Sequence, residues 1–470
     1  MNFVFLNQYY PPDVAPTGVM LEGVVQRLVR DGHDVTVLCA SGGYGKKVAG
    51  VPDATIRDER PGADARTSGP DPQQAPAGTS GNAEGVTPGR VAVVRIGATK
   101  FGRGTVVGKL LDYASFYVGV IWRLLVMRPR PERMVALTTP PYLSVVARLV
   151  SKLRGADHAH WVMDLYPDVM VAHGMLKEGG VLHRVAAGLA RWGFGGPRCA
   201  AVLTLGPDMA ARVGSYLSES KPLKVDWVAL WSGEREIAES KTADGGRENE
   251  AVARGADLAP EETTRQREAP ISSLALRKAR GWADNELVVM YSGNMGLGHR
   301  FGEMLEAALA LKDQWVRFVF FGDGRRRGEI ADFMLSHPEC RMELHPYAPA
   351  EELTEHLRSA EVHLASLDPA WTGTMVPSKL QGIFAAGRPV IFIGSEASSI
   401  GQWILASGAG WLVSPDDGSG LLAALAEARQ PEVLVSRGRA ARAFAVQHFN
   451  EAVNIPRVAA VLGRHGRMER

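Results

Sequence analysis

The chain has 470 residues, 46% of them hydrophobic, which is enough to bury a core in each of two or three domains. Its 53 basic and 51 acidic residues leave a formal net charge of +2, so the total gives no case for a nucleic-acid partner, and partners must be read from local sites. Three cysteines, Cys39, Cys199 and Cys340, lie far apart, are odd in number and show no paired metal spacing, which argues against a disulfide framework and suits a reducing compartment.

The opening "MNFVFLNQYY" has no basic region before its apolar run, so it reads as a buried first strand rather than a signal peptide, and a cytoplasmic protein is expected. It leads into "PPDVAPTGVMLEGVV", where Thr17 and Gly18 precede a helix. Two readings stand here: an ordinary Pro and Gly turn, or a helix start where Gly18 lets a phosphate or sugar come close. After the strand "HDVTVLCA", the stretch from Gly45 to Gly89 is rich in Gly, Pro, Ala and charge, with too little apolar area to offset the entropy of ordering. A disordered insertion over 45–90 is expected.

Strand-like runs "RVAVVRIG", "MVALTT", "HAHWVMD" and "CAAVLTLG" follow, with helical stretches between them. The segment "FGRGTVVGKLLDYASFYVGVIWRLLVMRPRPER" contains Asp112 and Arg123, so no run reaches the roughly 20 apolar residues that crossing a bilayer requires. It is either a domain helix with a basic end or an interfacial segment that contacts anionic membrane peripherally, on the inner face of the cytoplasmic membrane. His158 and His160 fall on one face of their strand, and without a third ligand nearby they make a poor metal site; no metal is expected. Asp164, just past that strand in "WVMDLYPD", either caps the next helix or accepts bonds from sugar hydroxyls.

A polar linker region, partly disordered, is expected over 231–283, its core reading "GEREIAESKTADGGRENEAVARGADLAPEETTRQREAP". The strand pattern then restarts with "LVVMYSG", "VRFVFFGDG", "MELHPY", "EVHLASL", "PVIFIG" and "GWLVS". The first of these runs into "YSGNMGLGHRFGEML", whose Gly293, Gly296 and Gly298 make a backbone anion site, with His299 and Arg300 adding positive charge; a solvated helix-start histidine is the plainer reading of His299. The glycine spacing departs from GxGxxG, so this is no dinucleotide fingerprint. Gly322 and Gly324 in "FFGDGRRRG" permit tight backbone geometry. Arg325 to Arg327 either face phosphate or form a solvated surface. In "TGTMVPSKLQGIFAAGRPVIFIG" a small-residue loop enters a helix near Pro377, with Lys379 in its first turn, where the helix dipole disfavours a cation unless an anion compensates.

Strands alternating with helices favour parallel sheets covered on both faces, and two such halves predict an α/β protein of two doubly wound, Rossmann-like domains facing a cleft. The expected division is 1–230, an acceptor-side domain; 284–450, a nucleotide-sugar-binding domain; and 451–470, a C-terminal helix or tail crossing back to the first domain.

In this order, "YYPPDVAPTG", "GHDVTVLCA", "YSGNMGLGH", "FFGDG", "VPSKLQGIFAAGRPVIFIG" and "GAGWLVSPDD" resemble the pattern of glycosyltransferase family 4 and its GT-B architecture. "WVMDLYPD" and "VPSKL" make it most similar to the bacterial subgroup that builds capsule, O-antigen and exopolysaccharide. The resemblance implies a retaining, metal-independent glycosyltransferase of hexosyltransferase type. It would need no cofactor, with a nucleotide sugar as donor and a lipid-linked or oligosaccharide acceptor. Carried over by position, Asp164 and Lys379 would be catalytic. Gly18, Gly293, Asn294, His299, Gly322, Gly324, Tyr347, Gly373, Thr374, Met375, Val376 and Lys379 would line the donor.

Asp164 stands where the family often has a sugar-contacting histidine, and Asn294 and His299 stand where many relatives carry Arg and Lys on the diphosphate. The family's two acids, for the sugar and the ribose, are here Thr374 and Gly382, which moves the expected contacts to Lys379 and to backbone N–H groups from Gly373 to Val376. These losses support an alternative, a catalytically silent nucleotide-sugar binder or assembly partner. A sugar-nucleotide epimerase on the same fold is a further one.

Overall fold

The computed structural model describes residues 1–13, 15–41, 57–59, 87–97, 99, 106–217, 223–232, 273–312 and 315–464. The first part of the chain forms β1 (Asn2–Leu6), α1 (Pro16–Arg30), β2 (Asp34–Ala40), β3 (Arg57–Glu59), β4 (Val91–Ile96), α2 (Val106–Val126), β5 (Arg133–Ala136), α3 (Leu143–Arg154), β6 (Asp157–Trp161), α4 (Asp168–Ala172), α5 (Val181–Phe194), β7 (Cys199–Thr204), α6 (Pro207–Gly214) and β8 (Val225–Trp227). The second part forms α7 (Ser273–Ala279), β9 (Leu287–Ser292), α8 (Gly302–Ala310), β10 (Val316–Phe321), α9 (Arg327–Ser336), β11 (Met342–His345), α10 (Leu353–Arg358), β12 (Val362–Ser366), α11 (Lys379–Ala385), β13 (Val390–Ile393), α12 (Ser399–Ser407), β14 (Gly410–Val413), α13 (Gly418–Glu427), α14 (Pro431–His448) and α15 (Glu451–Gly463). They build two compact units, Met1–Val228 together with the chain's end from Ile455, and Ala229–Asn454.

Each unit is a doubly wound sheet. The first has strand order β3-β4-β2-β1-β5-β6-β7-β8, parallel except where β3 pairs antiparallel with β4. The second has order β11-β10-β9-β12-β13-β14 and is parallel throughout. Helices on both faces hide such strands completely, and the residues oblige: β12 and β13 are buried at every position. In the first unit α2 turns Phe116, Val120 and Leu124 inward at helical spacing. They meet Val146, Ala147 and Val150 of α3 over the sheet, and α3 stops where Gly155 takes a left-handed φ of 73°.

Strand order reverses at β1/β5 in one unit and at β9/β12 in the other, and at such a point the loops leaving the two strands diverge around a crevice at the sheet's carboxyl edge. The loops are tied across it. Gln8 N–H donates to Thr139 O at 2.7 Å in the first unit, and Asp368 N–H to Gly298 O at 2.8 Å in the second.

All twelve strands read from the sequence are present, and β3 and β8 are added. β3 lies inside the segment expected to be a disordered insertion. The rest of that segment up to residue 86, and the linker from 233 to 272, lie outside the described residues. The linker expectation extended too far at its C-terminal side. Ser273–Ala279 is a helix because Leu276 and Trp282 are buried and Arg277 donates to Glu361 at 2.5 Å and to the carbonyls of Ser359 and Ala283.

Candidate functional site

In the second unit the site begins with three loop glycines that must be glycine for packing reasons. Gly293, Gly322 and Gly324 have φ of 131°, 135° and 145°, values an L side chain rarely adopts. A Cβ at Gly322 would overlap the Gly293 carbonyl, and one at Gly324 would stand 2.5 Å from Met295 O. The loops after β9 and β10 are therefore pressed backbone to backbone, and these two glycines serve that contact.

Lys379, the first residue of α11, reaches over this platform. A Cβ on Gly293 would lie 2.7 Å from its Cε. Its ammonium sits 3.7 Å from the centre of the Tyr291 ring and donates to Tyr291 Oη, to Asn294 O at 3.1 Å and to His299 Nε2 at 3.5 Å. None of these acceptors is an acid, and among the described residues Lys379 has no ion-pair partner. Burial alone pushes its pKa well below the ordinary lysine value.

His299 is held neutral. Its Nδ1 lies 2.7 Å from the Ser366 carbonyl, which can only accept, so Nδ1 carries the hydrogen and Nε2 is the lone pair that faces Lys379. Burial, reinforced by the Lys379 charge, lowers its pKa to about 3. The positive charge expected at His299 is thus absent, as is the solvated helix-start histidine, since the ring is only 4% exposed. Arg300 is equally unavailable: it pairs with Glu303 at 2.7 Å, with Asp368 at 3.5 Å and with Asp416, closing the loop rather than facing a ligand. Arg326 is bound to Glu329 and to the His299 carbonyl, while Arg325 is exposed.

The helix after the loop from 367 to 378 starts at Lys379, two residues past Pro377, with Lys379 in its first turn as expected, but the loop's backbone departs from expectation. Thr374 is wholly buried, with both its N–H (3.0 Å) and its Oγ1 (2.8 Å) on Trp371 O, so that N–H is committed to the turn and is not open to a ligand. Gly373 supplies the turn with φ 75°, Met375 is half-buried and Val376 buried. Tyr347 is exposed and donates to Asp323 O at 3.3 Å. Tyr291 was not singled out in the sequence, although its place at the end of a buried strand, ahead of the glycine loop, was the available signal.

Gly18 and Asp164 belong to the first unit. Gly18 lies in the first turn of α1, and its missing Cβ leaves room for the Tyr9 and Tyr10 backbone, 3.1 to 3.3 Å from where that atom would be. Asp164 does not cap α4, whose cap residue is Pro167. It lines a pocket at the carboxyl edge of β5 and β6 with Thr138, Tyr142, His160 and Tyr166, and Thr138 Oγ1 accepts its N–H at 3.2 Å. Burial raises the Asp164 carboxyl to about 6. Tyr142 holds a left-handed φ of 65°, and among the described residues its buried hydroxyl has no hydrogen-bond partner, the kind of strain and polar deficit found at ligand sites.

His158 and His160 do have a third potential ligand nearby, contrary to expectation. β6 pairs with β7 so that Cys199 stands opposite His158, and the ligand atoms of all three lie within 4.8 Å of one another. His158 is otherwise engaged with Ser151 Oγ at 3.1 Å and Gly195 O at 3.3 Å, and the nearby Arg148 charge opposes a cation there.

No family model matches the chain. Two curated relatives do. WbjE of Pseudomonas aeruginosa, named as a glycosyltransferase, is 22% identical over 331 residues, 70% of this chain and 74% of that protein. WcaI of Escherichia coli (strain K12), named as a colanic acid biosynthesis glycosyl transferase, is 23% identical over 341 residues, 72% of this chain and 75% of that protein. Among solved structures, WaaG, a glycosyltransferase involved in lipopolysaccharide biosynthesis, aligns with TM-score 0.61 and 14% identity over 98% of this chain and all of that one. HepE of Anabaena in complex with UDP-glucose aligns with TM-score 0.59 and 12% identity over 98% of this chain and 99% of that one.

Proposed function

We propose that this chain, a glycosyltransferase of the GT-B fold related to bacterial polysaccharide enzymes, moves a sugar with retention from a nucleoside diphosphate to a saccharide acceptor carried on a lipid. The observation that carries the donor half is Lys379, a half-buried ammonium at the strand-order reversal of the second unit whose partners among the described residues are neutral. A diphosphate supplies the missing counter-charge. Transfer breaks the bond between the anomeric carbon and the β-phosphate oxygen and forms one to an acceptor hydroxyl, which loses its proton. Negative charge grows on the departing diphosphate, and Lys379 is the group that stabilises it. On the acceptor side Asp164, with its carboxyl raised to about 6, is suited to holding or deprotonating a sugar hydroxyl near neutral pH. A nucleotide sugar is further supported by the UDP-glucose bound to HepE.

The test is a panel of nucleotide sugars, each with soluble and lipid-linked saccharides. Transfer is expected from one donor class to a lipid-linked acceptor, and absence of nucleotide binding across the panel would sink the proposal. The neutral His299 and the Thr374 and Gly382 pair favour one second reading, a silent nucleotide-sugar binder, which would show a thermal shift with a nucleotide sugar and no turnover.

A further inference from the structure

In the first unit His158 and His160 alternate along β6 onto one face, and β6 pairs with β7 so that Cys199 stands opposite His158. The register slips between His158 and Ala159, an irregularity of the kind that re-aims a side chain. The ligand atoms of the three residues lie within 4.8 Å of one another, and the two imidazole rings are 5.2 Å apart. An ion about 2.0–2.3 Å from each of three ligand atoms holds them roughly 3.5–4 Å apart, so small side-chain rotations close this triangle.

The hydrogens in this cluster do not suffice for its contacts. Burial keeps both histidines neutral, so each ring has one N–H and one lone pair. Neither nitrogen of His160, which is 1% exposed, makes a hydrogen bond among the described residues, and the neighbouring Gly193 carbonyl can answer only its N–H. Around His158 three contacts stand: Nδ1 with Ser151 Oγ at 3.1 Å, Nε2 with Gly195 O at 3.3 Å, and Ser151 Oγ with Ala156 O at 2.7 Å. The ring N–H and the serine hydroxyl supply only two hydrogens, so one of these contacts sets lone pair against lone pair. A metal ion answers lone pairs on both rings and on sulfur at once.

Charge selects the ion. Arg148 of α3 and Arg133 of β5 act on His158 and Cys199, with Asp157 opposing them. Arg133 is fully buried and pairs with Asp157 at 3.5 Å, while Arg148 is held over the Trp192 ring at 4.6 Å. A divalent ion with one thiolate would add positive charge beside two arginines, whereas a monovalent ion with one thiolate adds none. Thiolate is a ligand that selects Cu(I), and imidazole also suits copper. Entry lies at Cys199, which is half-buried and follows the exposed residues 196–198.

We propose that His158, His160 and Cys199 form a three-coordinate site for Cu(I), a soft monovalent cation. On binding, the S–H bond breaks and an S–metal bond forms, each histidine gives a ring lone pair, no electron changes hands, and one proton leaves to solvent. His160 also lines the pocket that holds Asp164, so an ion here fixes one wall of that pocket. Neither nucleotide nor acceptor takes part, so the proposal stands or falls separately from the transfer reaction.

The experiment is an anaerobic titration of the reduced full chain with Cu(I) held by bicinchoninate, with Zn(II) run in parallel. One Cu(I) per chain is expected to leave the chelator, with a near-ultraviolet thiolate-to-copper band and an apparent affinity that rises about tenfold per pH unit, the mark of one displaced proton. Zn(II) is expected to bind about 100-fold or more weakly. Cys199→Ser and His160→Leu are each expected to lose about 100-fold or more in Cu(I) affinity. His160→Leu exchanges an unmatched buried imidazole for an apolar group and is expected to melt no lower than the wild type. Cys340→Ser is expected to leave binding unchanged. Absence of uptake, uptake that survives both Cys199→Ser and His160→Leu, uptake lost in Cys340→Ser, or Zn(II) bound as tightly as Cu(I) overturns the proposal.

Discussion

Lys379→Met separates a donor-site lysine from a structural one. Methionine fills nearly the same volume, so the change removes charge rather than packing. A base whose pKa is lowered by folding binds fewer protons folded than unfolded, so at neutral pH it costs the fold stability. Against that stand a cation–π contact and hydrogen bonds to neutral groups, together about 1–3 kcal/mol. The free protein is therefore expected to melt at the wild-type temperature or above it. With a diphosphate bound, the lost charge-assisted bond and Coulomb attraction amount to about 3–4 kcal/mol, or roughly 100- to 1000-fold in Kd. At a nucleotide concentration of about 100 Kd the wild type gains roughly 2.7 kcal/mol, whereas the variant gains under about 0.5 kcal/mol. A domain of this size turns that difference into a thermal shift of about 5–10 °C that nearly vanishes. Scanning calorimetry with and without UDP and other nucleoside diphosphates measures both quantities. A variant that melts several degrees lower when free but keeps its nucleotide shift would refute the reasoning and make Lys379 a structural cation.

Other outcomes follow from the same structure. Gly293→Ala forces a Cβ into a left-handed φ and 2.7 Å from Lys379 Cε; it is expected to cost about 1–3 kcal/mol of stability and to lower nucleotide affinity together, read by calorimetry on one sample. Asp164→Asn keeps the shape but not the base. Nucleotide binding should be unchanged while transfer falls by about tenfold or more, and the melting temperature above pH 6 should not drop, because a carboxyl raised by folding weakens the fold once ionised. Among the described residues five histidines are buried and held neutral: burial lowers His158 and His363 to about 4, His299 and His356 to about 3, and His160 well below its ordinary value. Their stabilising contribution is complete above 6.5 and is lost as pH falls toward 3 to 4. Each costs up to about 1.4 kcal/mol per pH unit below 6.5, so thermal stability should drop steeply from pH 6.5 to 5. A flat profile there would contradict the assigned protonation states.

Secondary structure was legible because its signal is local. The twelve parallel strands read from the sequence announce themselves as short runs of apolar, mostly β-branched or aromatic residues between helical stretches. β8 was missed because "VDW" is three residues long with an aspartate in the middle, and β3 because "RDE" has no apolar residue at all. The site was legible only in its loops. Lys379 was found from its place in the chain, but its surroundings are set by Tyr291, 88 residues earlier. Arg300 read as a free cation because Asp416, 116 residues away, cannot be placed beside it by spacing. Cys199 likewise reaches His158 only through the pairing of β6 with β7.

On the proposed reading, Thr374 and Gly382, standing where the resembled family carries acids, alter how the donor site balances its charges. A carboxylate in the loop would pair with nearby cations in the free protein, and a ligand would have to break that pair before using them. Here Thr374 turns its hydroxyl back onto Trp371 O, Gly382 has no side chain, and His299 is neutral, so Lys379 is left with an unneutralised charge until an anion arrives. The electrostatic gain is then larger for phosphate, while sugar and ribose hydroxyls find no carboxylate at those positions. On the proposed reading, affinity comes chiefly from the diphosphate, and choice among donor sugars falls to shape and to neutral contacts, which discriminate by only about 1–3 kcal/mol for a group the size of a methylene.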